Sequence, residues 1–182
     1  KCTEPLRLWL VRILYAKSDC KGMVSIIIAT YNRSNILINR TLPSVFAQSH
    51  KNIEVVVIGD CCIDDTAKRI QKVKDKRLIF HDLKKRGKYP KQIEDRWFVQ
   101  GVTPRNYGMK IAKGDWFVFI SDDDVLYPNH VEVLIRSAKE KNLEFISAAY
   151  KTVKDGKTIE VQPHTWNKNS TLICGGMQTW LY

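Results

Sequence analysis

Three apolar, β-branched runs, residues 24–29, 53–58 and 116–120, each break abruptly into polar residues, and the stretches between them carry helical patterning. Strand-like runs that alternate with helical ones predict parallel βαβ units, and so an α/β fold with a Rossmann-like, mostly parallel sheet flanked by helices. In an open sheet of that kind, ligands bind outside the carboxyl ends of the strands. The residues just after each run are therefore the ones to read for chemistry. They are Thr30-Tyr31-Asn32-Arg33 after the first, Gly59-Asp60 after the second and Asp122-Asp123-Asp124 after the third.

The helical stretches have readable limits. A helix is predicted over 34–48, interrupted at Pro43, and another over 65–74 with Asp64 as its N-cap. Leu78 to Phe80 gives a short third strand, and residues 82–100 read as a long, charged, irregular segment, which in a compact domain is usually functional or disordered. Thr103-Pro104 predicts a helix start, Thr as cap and Pro at the first position, running to Ala112 and ended by Gly114. Further on come a helix over 128–141, a strand over 143–150 and, around Asp155-Gly156, a two-residue hairpin turn. At 182 residues, of which 44% are hydrophobic, one domain is the default.

Residues 1–22 differ from the rest. Leu6, Leu8, Trp9, Leu10, Val11, Ile13, Leu14 and Tyr15 with Arg7, Arg12 and Lys17 form a basic amphipathic helix, and residues 5–17 are expected to contact a membrane surface, a partner domain or this chain's own sheet. No run reaches the length of a membrane-spanning helix, and the first residues lack the order of a signal peptide. A first residue that is Lys rather than Met is expected of a processed or excised segment.

Thirty Lys and Arg stand against nineteen Asp and Glu, a formal charge of +11. That excess fits nucleic acid, an anionic membrane or a phosphate-bearing substrate. The charges are scattered and no basic, aromatic-interleaved motif is present, so no nucleic-acid partner is expected. Five cysteines without C-x-x-C spacing read as reduced thiols, as in a cytoplasmic protein, and the four histidines have no partner at zinc-ligand spacing.

Adjacent carboxylates at one strand end repel one another, and a divalent cation relieves that repulsion. An acidic turn before a helix is the alternative. With the other strand ends beside it, the cluster suits a nucleoside diphosphate: the cation bridges the phosphates, and the helix opening near Thr103, with Arg105, adds positive potential. Tyr31 offers a ring face to a base, and Asp60 can accept a hydrogen bond from a ring N–H.

These segments, with Asp64-Asp65-Thr66, Arg105-Asn106-Tyr107-Gly108, Ala112-Lys113-Gly114-Asp115 and Pro128, resemble family 2 glycosyltransferases, inverting enzymes with the GT-A fold. The resemblance spans roughly residues 23–150. It implies a nucleotide-diphospho-sugar donor, a glycan or lipid-linked acceptor hydroxyl and Mn²⁺ or Mg²⁺ as cofactor. It also implies that Ala29, Thr30 and Tyr31 line the nucleotide pocket, that Asp60 reads the base and that Arg105 and Asn106 match the family's pattern. Alignment on Pro128 puts Ser121 where the family's first DxD Asp stands, Asp123 as the metal ligand, Asp122 on sugar or ribose, and Asp124 as an alternative or supporting ligand. Gly59-Asp60-Cys61-Cys62 replaces the common Asp-Asp-Gly-Ser, and the two thiols read as packing residues of the turn. Lys88-Tyr89-Pro90 and Trp97 resemble a substrate-side loop.

Inversion needs a general base, which in this family is expected beyond Tyr182. None is therefore assigned, Glu94 and Asp95 being the nearest carboxylates of the long segment. The organisation expected is a lead segment, 1–22, and a nucleotide-sugar-binding domain, 23–182, with its acceptor part incomplete. The protein would be cytoplasmic or peripheral at the inner membrane face. A nucleotidyltransferase would need a glycine-rich loop where Thr30-Tyr31-Asn32-Arg33 stands. A non-catalytic nucleotide-sugar-binding module is the other alternative, and an acidic motif after Tyr182 would separate it from an enzyme.

Overall fold

A computed structural model describes residues 22–99, 101–154, 157–161 and 180–181. The amphipathic segment over 5–17 and the Asp155-Gly156 turn lie outside those residues. Strand β1 (Val24–Thr30) is followed by helix α1, which runs Ser34–Ile36, Leu37–Thr41 and Leu42–Phe46, then β2 (Ile53–Gly59), α2 (Thr66–Ile70) and β3 (Leu78–Asp82). Next come α3 (Ile93–Val99), α4 (Val102–Ile111), β4 (Trp116–Ser121) and α5 (His130–Glu140). The short strands β5 (Ile146–Ser147), β6 (Tyr150–Lys154), β7 (Lys157–Val161) and β8 (Trp180–Leu181) complete the described chain.

The main sheet has the order β3-β2-β1-β4-β8-β5. Its first four strands are parallel, and β8 joins antiparallel to both β4 and β5. Strands β6 and β7 form a separate antiparallel pair, with Lys154 opposite Lys157. The centres of the parallel strands β1, β2 and β4 are apolar on both sides because helices cover both faces, and the buried Glu54 near the start of β2 is bonded to Ser25 of β1. On one face Val24, Ile26, Ile28, Val55, Val57, Val118 and Ile120 pack with Leu37, Leu42 and Val45 of α1, Ile70 of α2, and Val131, Leu134, Ile135 and Ala138 of α5. That last set repeats at the three- and four-residue spacing of a single helix face. On the other face Ile27, Val56, Ile58, Phe117 and Phe119 meet Tyr107, Met109 and Ile111 of α4.

Several elements differ from the sequence expectation, each for a physical reason. Pro43 interrupts no helix outright: Leu37–Thr41 widens into a π turn just ahead of it. The wider turn accommodates a proline ring that would otherwise meet the carbonyl of Asn39. The segment over 82–100 is not wholly irregular, since α3 forms in it with Glu94 and Asp95 in its first turn, where the helix dipole favours them. Thr103 does not cap α4. The helix begins two residues earlier than expected, at Val102 behind Gly101, whose φ of 73° is the left-handed conformation glycine adopts without strain. Pro104 sits inside the first turn, where its missing N–H has no helical partner to lose. Asp64 sits one residue ahead of the cap of α2, and its Oδ1 accepts the Thr66 N–H at 3.0 Å. The strand expected over 143–150 contracts to Ile146–Ser147, and Leu143 and Phe145 are exposed.

Two glycines set the spacing between layers. A Cβ on Gly108 would lie 2.7 Å from Ile27 Cγ2, so α4 rides close on the sheet. A Cβ on Gly114 would lie 2.6 Å from the Ser25 amide nitrogen and 3.0 Å from the Met23 carbonyl. Main chain yields less than side chain. Gly114→Ala is expected to destabilise by about 2 kcal/mol or more, and Gly108→Ala by less, because overpacking there is partly offset by ~1 kcal/mol of helix propensity. Urea unfolding of the two variants checks the order.

Candidate functional site

The parallel register levels the strand ends. Thr30 lies opposite Gly59 and Ala29 opposite Ser121, so the loops after β1, β2 and β4 open on one edge of the sheet. Thr30 is buried and donates its hydroxyl to Asp122 Oδ2 at 2.7 Å. The Arg33 guanidinium reaches Asp123 Oδ2 at 2.5 Å and Asp122 Oδ1 at 3.4 Å. Helix α1 holds the acidic turn from the side. Thr41 donates to the Asp122 carbonyl at 2.8 Å, Ser44 accepts the Leu126 N–H at 3.2 Å, and the buried Gln48, two residues past the end of α1, bonds both the Tyr127 carbonyl and the Val131 N–H in the first turn of α5.

The three aspartates do not share one environment. Burial raises Asp122 above the ordinary carboxylate range, against the pull of Thr30 and Arg33. Burial, then the charge of Asp123, raises Asp124 as well, and its partners are Ser121 and Arg40 rather than Arg33. Asp123 is the most open of the pair on Arg33, its side chain 42% exposed.

Asp60 is only 3% exposed. Its Oδ1 accepts the Gly87 N–H at 2.9 Å, its Oδ2 accepts the Tyr89 hydroxyl at 2.5 Å, and Arg86 Nε lies 3.6 Å from Oδ2. Arg86 also stacks 3.5 Å over the Tyr31 ring. Burial and then the Asp60 carboxylate push the Tyr89 hydroxyl up to about 12. The β1 and β2 loops are tied together as well: Asn32, at a φ of 55°, accepts the Ile63 N–H at 2.9 Å. Asp82 accepts the Cys62 N–H at 3.0 Å, beneath the left-handed Cys61. Cys61 and Cys62 are free and half-buried, as packing residues would be.

From α4, Arg105 enters the same edge. A Cβ on Gly101 would meet its guanidinium at 3.0 Å and the Ala29 Cβ at 3.5 Å, so Arg105 lies beside the half-buried Ala29. Burial lowers Arg105, while the charges of Asp122 and Tyr89 act in its favour. Asn106, on the same helix, is exposed. Thr30, Tyr31, Asp60, Arg105 and Asp122 are thus gathered on one edge, with Ala29 behind Arg105. Arg33, Arg86 and the Thr41-Ser44-Gln48 row were not assigned from sequence, and Tyr89 was read only as part of a substrate-side loop. Only Arg33, Arg86 and Tyr89 carried a readable signal, a basic and aromatic residue following a strand.

The donor atoms present fit a divalent cation of one kind. Among the described residues no three His, Cys, Asp or Glu side chains converge to enclose a metal. A Mg²⁺-type ion needs no such cage, because it is held by one or two carboxylates together with substrate phosphates. Asp122 and Asp123, which already meet at one guanidinium nitrogen, supply that number.

Comparison with known proteins gives the family and the fold. The family model for glycosyl transferase family 2 matches residues 25–180, so the chain belongs to that family. An uncharacterized glycosyltransferase of Rickettsia felis is 32% identical over 75% of this chain and 21% of its own length. Escherichia coli WfaP, named UDP-Glc:alpha-D-GlcNAc-diphosphoundecaprenol beta-1,3-glucosyltransferase, is 32% identical over 73% of this chain and 48% of its own. The chain therefore spans about a fifth to a half of these curated relatives. Its fold matches that of S. aureus TarS 1-349 in complex with UDP-GlcNAc, at a TM-score of 0.64 and 22% identity over 88% of this chain and 45% of that one. The fold is GT-A, as the sequence resemblance implied.

The acidic turn has a pH signature. Because the folded value of Asp124 lies above the ordinary 3.8, its charged form costs the fold stability. That cost is absent below the unfolded value and appears as pH rises through the folded one. Asp124→Asn is expected to need more urea to unfold than the wild type at about pH 7.5 in EDTA, with the gap closing near pH 4. Paired unfolding curves at the two pH values test this.

Proposed function

We propose that this chain is the donor-binding part of an inverting, metal-dependent glycosyltransferase that takes a nucleotide-diphospho-sugar and passes the sugar to a hydroxyl of a glycan or lipid-linked acceptor. One observation carries the reading. Three parallel strands end level, and they set an aromatic face, Tyr31, a buried acceptor, Asp60, and paired carboxylates, Asp122 and Asp123, along one edge. In the sheet Asp60 and Tyr31 follow β2 and β1, and the aspartates follow β4 on the other side of β1, an order that suits a base at the first two and the sugar and diphosphate at the last. The named activity of the E. coli relative and the UDP-GlcNAc bound to TarS support it.

In this reading Asp123, with Asp122 or Asp124 in support, holds Mn²⁺ or Mg²⁺. When bound, the ion offsets charge that develops on the diphosphate as the sugar leaves. Arg105 and the start of α4 add positive potential on the same side. Arg33 spans Asp122 and Asp123, and a cation held by those carboxylates would compete with it for them. The acceptor oxygen attacks the anomeric carbon opposite the leaving phosphate oxygen, and its proton passes to a carboxylate acting as general base. Glu94 and Asp95 are exposed in the first turn of α3. A lipid-linked acceptor, as in the E. coli relative's name, would bring the protein to a membrane surface, where the basic segment over 5–17 is proposed to act.

Calorimetry with UDP and GDP is expected to show binding that Mn²⁺ or Mg²⁺ strengthens and EDTA weakens. Equal affinity with and without EDTA would end the metal role. Asp123→Ala should cost more of the metal-dependent binding than Asp124→Ala, whose carboxylate is engaged with Ser121 and Arg40; the reverse order would overturn the ligand assignment. Donor binding without hydrolysis or transfer would favour the non-catalytic module.

Asp60→Asn should weaken nucleotide binding roughly ten- to a hundredfold, the worth of one charge-assisted hydrogen bond, with the fold intact by circular dichroism. An unchanged dissociation constant would make Asp60 a loop anchor alone.

A further inference from the structure

Both groups offered to a base are already occupied by one loop of the chain itself. Between β3 and α3, Arg86 lies 3.5 Å over the Tyr31 ring, and Gly87 and Tyr89 donate to the two oxygens of Asp60. A planar cation on the aromatic face and an O–H on the carboxylate stand in for the ring and the ring N–H of a base. The loop is anchored at its other end too. Tyr89 accepts the Gly101 amide at the start of α4, and a Cβ on Gly87 would meet Thr103 Oγ1 at 2.7 Å. Asp60 is 3% exposed beneath this cover, so no incoming group reaches it while the loop stays seated.

We propose that Tyr89 is an affinity-determining residue: its hydroxyl holds the Leu83–Pro90 loop over the base pocket and competes with the nucleotide base for Asp60. The inference rests on the donor reading above. Binding then exchanges one hydrogen bond on Asp60 for another, and the net affinity is the difference between them. Removing the Tyr89 hydroxyl leaves the ring in place and weakens only the chain's own claim on the carboxylate.

The consequence is an unusual pairing of signs. Tyr89→Phe should lower thermal stability, since the fold loses a hydrogen bond to a buried carboxylate, yet tighten nucleotide binding by roughly tenfold. A residue that merely shapes the pocket would lower both. Stopped-flow with a fluorescent mant-UDP in Mn²⁺ places the gain: the association rate should rise, because the uncovered pocket is more populated before binding. Hydrogen exchange on the wild type supplies a second measurement, independent of how the variant folds. The Gly87 amide should be protected in the free chain and exchange faster with UDP bound.

Weaker or unchanged binding by Tyr89→Phe, or a Gly87 amide as protected with UDP as without it, would overturn the proposal while leaving the donor reading in place. A wild-type chain that binds neither UDP nor GDP in Mn²⁺ would remove the donor reading, and this inference with it.

Discussion

The register of β1 is the constraint on which the rest of this molecule depends. It pairs along its whole length with β2 on one side and from Val24 to Ala29 with β4 on the other, both parallel, and all three stop within a residue of one another. Parallel pairing forces each connection to travel back across a face of the sheet, so helices cover both faces and the polar residues are left only at the ends. A one-residue slip of β4 against β1 would turn Phe117 and Phe119 toward the wrong layer and carry Asp122 away from Thr30. Packing thus enforces the alignment that the hydrogen bond from Thr30 to Asp122 then uses.

Charge at this edge is balanced by exchangeable partners. In a chain of formal charge +11, the carboxylates Asp60, Asp122 and Asp123 all face guanidinium groups, and Asp124 feels Arg40. Arg33 and Arg86 are each about half exposed, so their ion pairs are screened and cost little to break. Thr30 and Asn32 are held by shorter-range hydrogen bonds within the fold and stay where they are. The site is therefore a rigid floor of strand ends beneath a set of mobile cations, an arrangement suited to a ligand that carries its own charge.

What was legible in the sequence was whatever is local. The parallel strands announce themselves as β-branched runs, and the residues just beyond them, Thr30, Tyr31, Asp60 and the aspartates, can be picked by position alone. Helix starts were less legible, because capping was decided by neighbours far along the chain. Thr103 looked like a cap, but Gly101 takes the turn so that Arg105 can pass beside it. The Val131 N–H in the first turn of α5 is met by Gln48, 83 residues earlier. In the charged segment after β3, Arg86, Gly87 and Tyr89 are placed by contacts to Asp60 and Tyr31, which no local pattern encodes.

The row Thr41 and Ser44 on α1 and Gln48 just past its end holds the main chain of the acidic turn through hydrogen bonds to backbone groups, not to its carboxylates. Backbone and side-chain roles in that turn are thereby separated between two parts of the sequence. Substitutions at Asp123 or Asp124 can retune what the turn binds while its path stays fixed, so the chemistry is free to drift faster than the geometry. The converse holds for grafting: moving residues 121–128 alone into another sheet would transfer the charges without their scaffold, and a working graft must bring α1 with it.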